Sequence, residues 1–126
     1  MKKALSIKRL SKSFGYAFAG FIKSFKEEAN MKIHILISIL VIIFGFIFNV
    51  SNLEWIVLLF AIGLVLGAEL LNTSIENLVD LVCKDRNEQA GLVKDVSASF
   101  VMVLAIVAAI VGLIIFIPKI LNILGV

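Results

Sequence analysis

The sequence predicts an all-α integral membrane protein, with one amphipathic helix on the membrane surface and three helices crossing the bilayer. Three observations carry this. The chain has 126 residues, 61% hydrophobic and only 17% charged, with a mean hydropathy of +1.10. A soluble domain is about half apolar and about a quarter charged. Residues 35–53, 55–68 and 96–118 contain no charged side chain. The segment before them repeats its apolar residues at helical spacing. Together these argue against a soluble enzyme, a disordered regulator or a nucleic-acid-binding module. The length allows one domain, residues 1–126.

The first element is a surface helix over about residues 5–28. At about 100° per residue, Leu10, Phe14, Phe18, Phe21 and Phe25 share one arc, while Lys8, Lys12, Lys23 and Lys26 take the opposite face. That is the pattern of a helix lying in the membrane interface. If the helix continues far enough, Glu28 falls on the apolar stripe and Glu27 lies off it. If it ends earlier, Glu28 is solvated.

The three spans follow at about residues 32–50, 53–82 and 95–117. A bilayer core needs about 20 apolar residues per helix. The first and third meet this alone, and the second meets it by carrying Glu69 and Asn72 below the midplane. Of twelve Lys and Arg, eight lie at Lys2, Lys3, Lys8, Arg9, Lys12, Lys23, Lys26 and Lys32, and three more, Lys84, Arg86 and Lys94, lie around the second connection. Only Lys119 follows the third span. The positive-inside rule therefore places the N-terminus and the second connection in the cytoplasm. Trp55 reads as an outer interfacial anchor, and Pro118 sits near the end of the last span. Gly63 and Gly67 form a G-x-x-x-G whose ordinary use is helix packing, within or between subunits. One cysteine, Cys83, and one histidine, His34, rule out an internal disulfide and multi-Cys or His-based metal sites. His34 reads as an interfacial or structural residue.

Four polar residues do not belong in a lipid-facing helix. Glu69, Asn72, Glu76 and Asp80 fall within an arc of about 80° on a continuous helix. A charge at the centre of a span costs roughly 2.5–3.5 kcal/mol on insertion scales, so this stripe needs partners. A salt-bridge ladder with Lys84, Arg86 or Lys94 is one answer. Chemistry is the other. The deepest carboxylate, Glu69, is partly desolvated and so a better base. Glu76, nearer water, suits a hard cation such as Mg²⁺, and Asn72 positions groups between them. Lys94, at the start of the third span, combines its charge with a helix N-terminus, a good anion site. Base, metal carboxylate and phosphate site together suggest phosphoryl transfer. The sequence contains no Walker A motif and no Gly-rich phosphate loop.

The run Glu69-Leu70-Leu71-Asn72-Thr73-Ser74-Ile75-Glu76, then Asp80, then Lys94-Asp95, resembles the signature of the prokaryotic diacylglycerol kinase family. The resemblance spans roughly residues 8–118. Glu28-Ala29-Asn30-Met31-Lys32-Ile33-His34, Leu53-Glu54-Trp55 and Phe116-Ile117-Pro118-Lys119 are most similar to its Gram-positive, undecaprenol kinase branch. The resemblance implies a bacterial cell-membrane homotrimer with active sites shared between subunits, using ATP and Mg²⁺ to phosphorylate a lipid alcohol. It implies Glu69 as general base, Asn72 at the reaction centre, and Glu28 and Glu76 as metal ligands. It implies Arg9, Lys12, Tyr16, Asp80, Lys94 and Asp95 at the nucleotide. Undecaprenol is the expected acceptor and undecaprenyl phosphate the product. Diacylglycerol, giving phosphatidic acid, is the alternative. Two positions depart from the family: Phe100 where small residues are common, and Asn87 where His is frequent. Outside this class, a small proton-coupled carrier would also use a buried Glu69, but has no need of the acids and lysine at the polar end. A structural subunit with a salt-bridged core is the bland alternative.

Overall fold

A computed structural model describes residues 6–126; Lys2 and Lys3 of the basic N-terminus lie outside them. The described chain is four helices: α1 (Ile7–Glu27), α2 (Ala29–Ile47), α3 (Asn52–Val82) and α4 (Glu88–Ile123). α2, α3 and α4 are each long and apolar enough to cross a membrane. α3 and α4 form the most extensive contact, α2 packs on α3, and the C-terminal part of α1 rests on α2 and α3.

α1 starts at Ser6, whose hydroxyl accepts the Arg9 N–H at 3.2 Å, a standard N-cap. Phe14 and Phe18 are exposed, so the chain itself offers no cover for the apolar face. Lys23 and Glu27 pair at 4.0 Å on the opposite face. The helix stops one residue short of the expected boundary. Glu28 is extended (φ −106°, ψ 115°), donates its N–H to Ser24 O, and serves as the junction to α2. It is half-buried. The continuous helix that would put Glu28 on the apolar stripe is thus absent, yet Glu28 is not fully solvated either. One extended residue redirects the chain from the surface helix into the first span and turns this side chain partly inward.

α2 and α3 are joined by a tight turn. Asn49 takes a left-handed conformation (φ 50°), which Asn tolerates better than most residues. Val50 N–H bonds to Gly45 O at 3.1 Å and Asn49 N–H to Phe46 O at 3.3 Å, the paired bonds of a Schellman motif. α3 then begins in a capping box. Ser51 Oγ accepts the Glu54 N–H at 3.2 Å, and Glu54 Oε1 accepts the Ser51 N–H at 3.0 Å. Lys119 of α4 reaches the same carboxylate at 3.0 Å, tying α3 to α4 at this end. Val50, Leu58 and Ile115 form a small core here, flanked by Val41, Trp55, Val111 and Phe116.

Trp55 is more than an interfacial anchor. Its ring lies against Gly45 of α2, so closely that a Cβ there would overlap it, and stacks on Phe46 with centroids 4.9 Å apart. Gly63 and Gly67, by contrast, face open space, so their motif packs nothing within the chain. α4 overruns its apolar stretch at both ends. Asn87 caps it, with Oδ1 accepting the N–H groups of Gln89 and Ala90 at 2.8 and 3.1 Å. At the far end the helix passes through Pro118 to Ile123. A proline removes one N–H, a loss that membrane helices tolerate when neighbouring groups compensate.

Candidate active site

The continuous α3 makes the polar stripe real, and burial grades along it. Glu69 is 2% exposed and Asn72 5%, Glu76 is half-buried and Asp80 is exposed. At about 1.5 Å per residue, Glu69 lies about 21 Å along the axis from Trp55. In a bilayer core about 30 Å thick, that places the carboxylate in the third nearer the polar end.

One side chain from a neighbouring helix meets Glu69. His34 comes from α2, with Nε2 3.7 Å from Glu69 Oε2. Glu76 lies two turns along α3 on the same face as Glu69, and Glu28 sits half-buried at the α1–α2 junction. Asn72 Nδ2 donates to Glu76 Oε1 at 3.3 Å. Its Oδ1 is buried and has no hydrogen-bond partner among the described residues, an acceptor left available within the site. A buried polar atom without a hydrogen bond costs free energy, so this oxygen marks a place where a donor or a cation is wanted.

The lower end of the stripe is an ion pair. Lys94 Nζ of α4 lies 2.6 Å from Asp80 Oδ1. This hydrogen bond holds the lysine above its ordinary range, so it is a cation at neutral pH. Lys94 precedes the uncharged run 96–118, on the polar end of α4. This one rung follows the salt-bridge alternative; Lys84 and Arg86 form no ion pair among the described residues. Asp95 is exposed and borders a shallow depression with Asn87, Glu88 and Gln89. Arg9, Lys12 and Tyr16 are exposed along α1, and among the described residues no hydrogen bond or ion pair joins their side chains to the acids.

Neither sequence departure disturbs this arrangement. Asn87 is the α4 cap, and Phe100 is 48% exposed on the outer surface between α3 and α4. His34 is the site residue that sequence reasoning missed. Its signals were a lone titratable side chain at the threshold of an apolar span and its place at the end of the Glu28–His34 run. From His34, an apolar groove of about 500 Å³ runs between α2, α3 and α4 to Phe116 and Ile120, floored on α4 by Ala105, Ala108 and Gly112.

Residues 15–116 match the family model described as prokaryotic diacylglycerol kinase. The chain belongs to the prokaryotic diacylglycerol kinase family. Members of this family are lipid kinases, and the chain is accordingly a membrane-embedded lipid kinase. It is 37% identical to the undecaprenol kinase of Bacillus subtilis over 90% of its own length and 92% of that protein. It is 35% identical to a diacylglycerol kinase of Synechocystis over 89% of its length, covering 65% of that relative. A diacylglycerol kinase of Haemophilus influenzae is 31% identical over 92% of the chain and 99% of the relative.

Proposed function

We propose that this kinase transfers the γ-phosphoryl group of ATP to the hydroxyl of a membrane lipid alcohol, with undecaprenol preferred over diacylglycerol. The observation that carries the reading is the burial gradient of α3. It runs from Glu69 and Asn72 within the apolar region, past Glu76, to the Asp80–Lys94 pair at the polar end. One continuous helix thus connects a place where a lipid hydroxyl can sit with a place where a nucleotide can arrive.

The lipid enters sideways, and its hydroxyl approaches Glu69 while the tail lies along apolar helix surfaces. Glu69 takes the hydroxyl proton. The freed oxygen forms a bond to the γ-phosphorus as the bond from that phosphorus to the bridging oxygen breaks. ADP leaves with the electrons of that bond. Asn72 orients the reacting groups. Lys94 contacts the nucleotide phosphates, with Asp80 and Asp95 completing that site and Arg9, Lys12 and Tyr16 contributing from α1. Positioning of this kind supplies much of the acceleration in phosphoryl transfer.

The donor set suits Mg²⁺. No group of three or more His, Cys, Asp or Glu side chains able to hold a metal exists among the described residues. Mg²⁺ commonly needs only one or two carboxylates, with phosphates and water completing its shell. Glu28 and Glu76 would hold it, and the unpartnered Asn72 Oδ1 is an additional oxygen donor nearby. When bound, Mg²⁺ offsets negative charge on the transferring group.

The basic N-terminus and second connection face the cytoplasm by the positive-inside rule, the side on which ATP is found. The working unit is a homotrimer in a bacterial cell membrane with sites shared between subunits. The open Gly63–Gly67 face and the unjoined side chains of Arg9, Lys12 and Tyr16 are consistent with that. The identity to an undecaprenol kinase across nearly the full length of both chains favours the polyprenol. Diacylglycerol is the second reading, supported by the names of the other relatives.

The test is transfer of labelled γ-phosphate from ATP by purified protein to undecaprenol and to diacylglycerol, side by side. Undecaprenol is expected to label faster, and label should require Mg²⁺. A preference for diacylglycerol would reassign the acceptor. No label in either lipid would overturn the reading.

A further inference from the structure

We propose that His34 is a positioning residue for Glu69: its imidazole, presented from α2, holds one oxygen of the carboxylate presented from α3 and leaves the other free for the lipid hydroxyl. This inference rests on the reading of Glu69 as the base.

The first observation is the juxtaposition itself. His34 Nε2 is 3.7 Å from Glu69 Oε2, and the two side chains are 19% and 2% exposed. A carboxylate this buried needs a donor or opposite charge beside it. Among the described residues, His34 is the one basic group within 4.0 Å of the Glu69 carboxylate. The gap is slightly longer than a hydrogen bond, a common feature of sites without substrate that tighten when it binds.

The second observation is local. The backbone carbonyl of His34 is taken by Ser38, whose Oγ donates to it at 2.7 Å. This anchors the turn of α2 that carries the imidazole. The third is the apolar groove, which begins at His34. The ring therefore borders both the groove and the Glu69 carboxylate. A free carboxylate rotates about its last bond and presents either oxygen. One fixed N–H on Oε2 removes that freedom. In the transfer step the hydroxyl proton goes to Glu69, and His34 neither gains nor loses a proton.

The experiment compares His34→Ala, His34→Gln and His34→Leu in the assembled enzyme, with undecaprenol and ATP. His34→Ala should lower kcat about 10- to 100-fold, the scale expected when a reacting group is misplaced by about an ångström. KM for ATP should stay within about threefold. His34→Gln, whose amide N–H can reach the same oxygen, should return kcat to within about fivefold of the native value. His34→Leu, which fills the space without a donor, should not. In a Glu69→Gln background, His34→Ala should cost less than about twofold more, since it acts through the group already removed.

A native kcat in His34→Ala would overturn the inference, as would rescue by Leu equal to that by Gln. An undiminished loss in the Glu69→Gln background would do the same. If His34→Ala fails to assemble, the Gln and Leu pair still decides. Fully active Glu69→Gln would defeat the base assignment and the inference with it. Inactive Glu69→Gln beside native-like His34→Ala would defeat the inference alone.

Discussion

Glu69 and Glu76 occupy the same helix face seven residues apart, yet their surroundings differ. Glu69 is closed off from water and faces an imidazole, while Glu76 is half-buried and shares a hydrogen bond with Asn72. Glu69→Gln keeps the shape and removes the proposed base, so lipid phosphorylation should fall at least about 100-fold. The variant should still assemble, as checked by size-exclusion chromatography in detergent. Glu76→Gln should be similarly inactive. Glu28→Gln should raise the Mg²⁺ concentration needed for half-maximal rate, measured by titrating Mg²⁺ at fixed ATP; an unchanged requirement would remove Glu28 from the metal. Lys94→Ala should act at the other end of the stripe, raising KM for ATP and leaving lipid KM near its native value.

At the level of elements, the site depends on α2 and α3 being held at one angle. The Schellman end of α2, the left-handed Asn49 and the capping box of α3 make a turn with little slack. Trp55 against Gly45 closes the same corner. Ser51→Ala should lower stability by about 1 kcal/mol through the lost cap, read as a drop in thermal midpoint in detergent. Gly45→Ala should cost about 1–3 kcal/mol, because the added methyl must displace the indole. An unchanged midpoint for Gly45→Ala would mean that the corner is looser than described. At the opposite end, the single extended Glu28 lets α1 turn away along the surface while its own side chain stays half-buried.

As a whole, the molecule exposes 9730 Å², against about 6,600 Å² for a soluble globule of its 13.8 kDa mass. Much of the excess is apolar: Phe60, Leu64, Ile110 and Leu113 all stand more than half exposed on the outside of the spans. Such a surface is stable only against lipid or other apolar protein. The homotrimer proposed above would cover part of it and complete the nucleotide site. Activity should therefore follow the assembled fraction as detergent conditions are varied, with mass measured by light scattering. Monomer with full specific activity would exclude shared sites.

The sequence alone determined the class of the protein and the polar face of α3. Apolar length is a property of composition, so three spans could be counted directly. Helical periodicity is local, so the alignment of Glu69, Asn72, Glu76 and Asp80 followed from spacing once α3 was continuous. The opposition of Lys to Phe along α1 followed in the same way. The tertiary structure decided what meets that face. Which residue of α2 lies opposite Glu69 depends on the rotation and register of two packed helices, and neither is encoded in the period of either helix. His34 therefore looked like an isolated polar residue until α2 was docked on α3. The end of α1 at Glu27, the contact of Trp55 with Gly45 and the open face at Gly63 and Gly67 have the same origin. Each depends on where one helix stops or lies relative to another, and that is set by packing across the whole fold, not by local sequence.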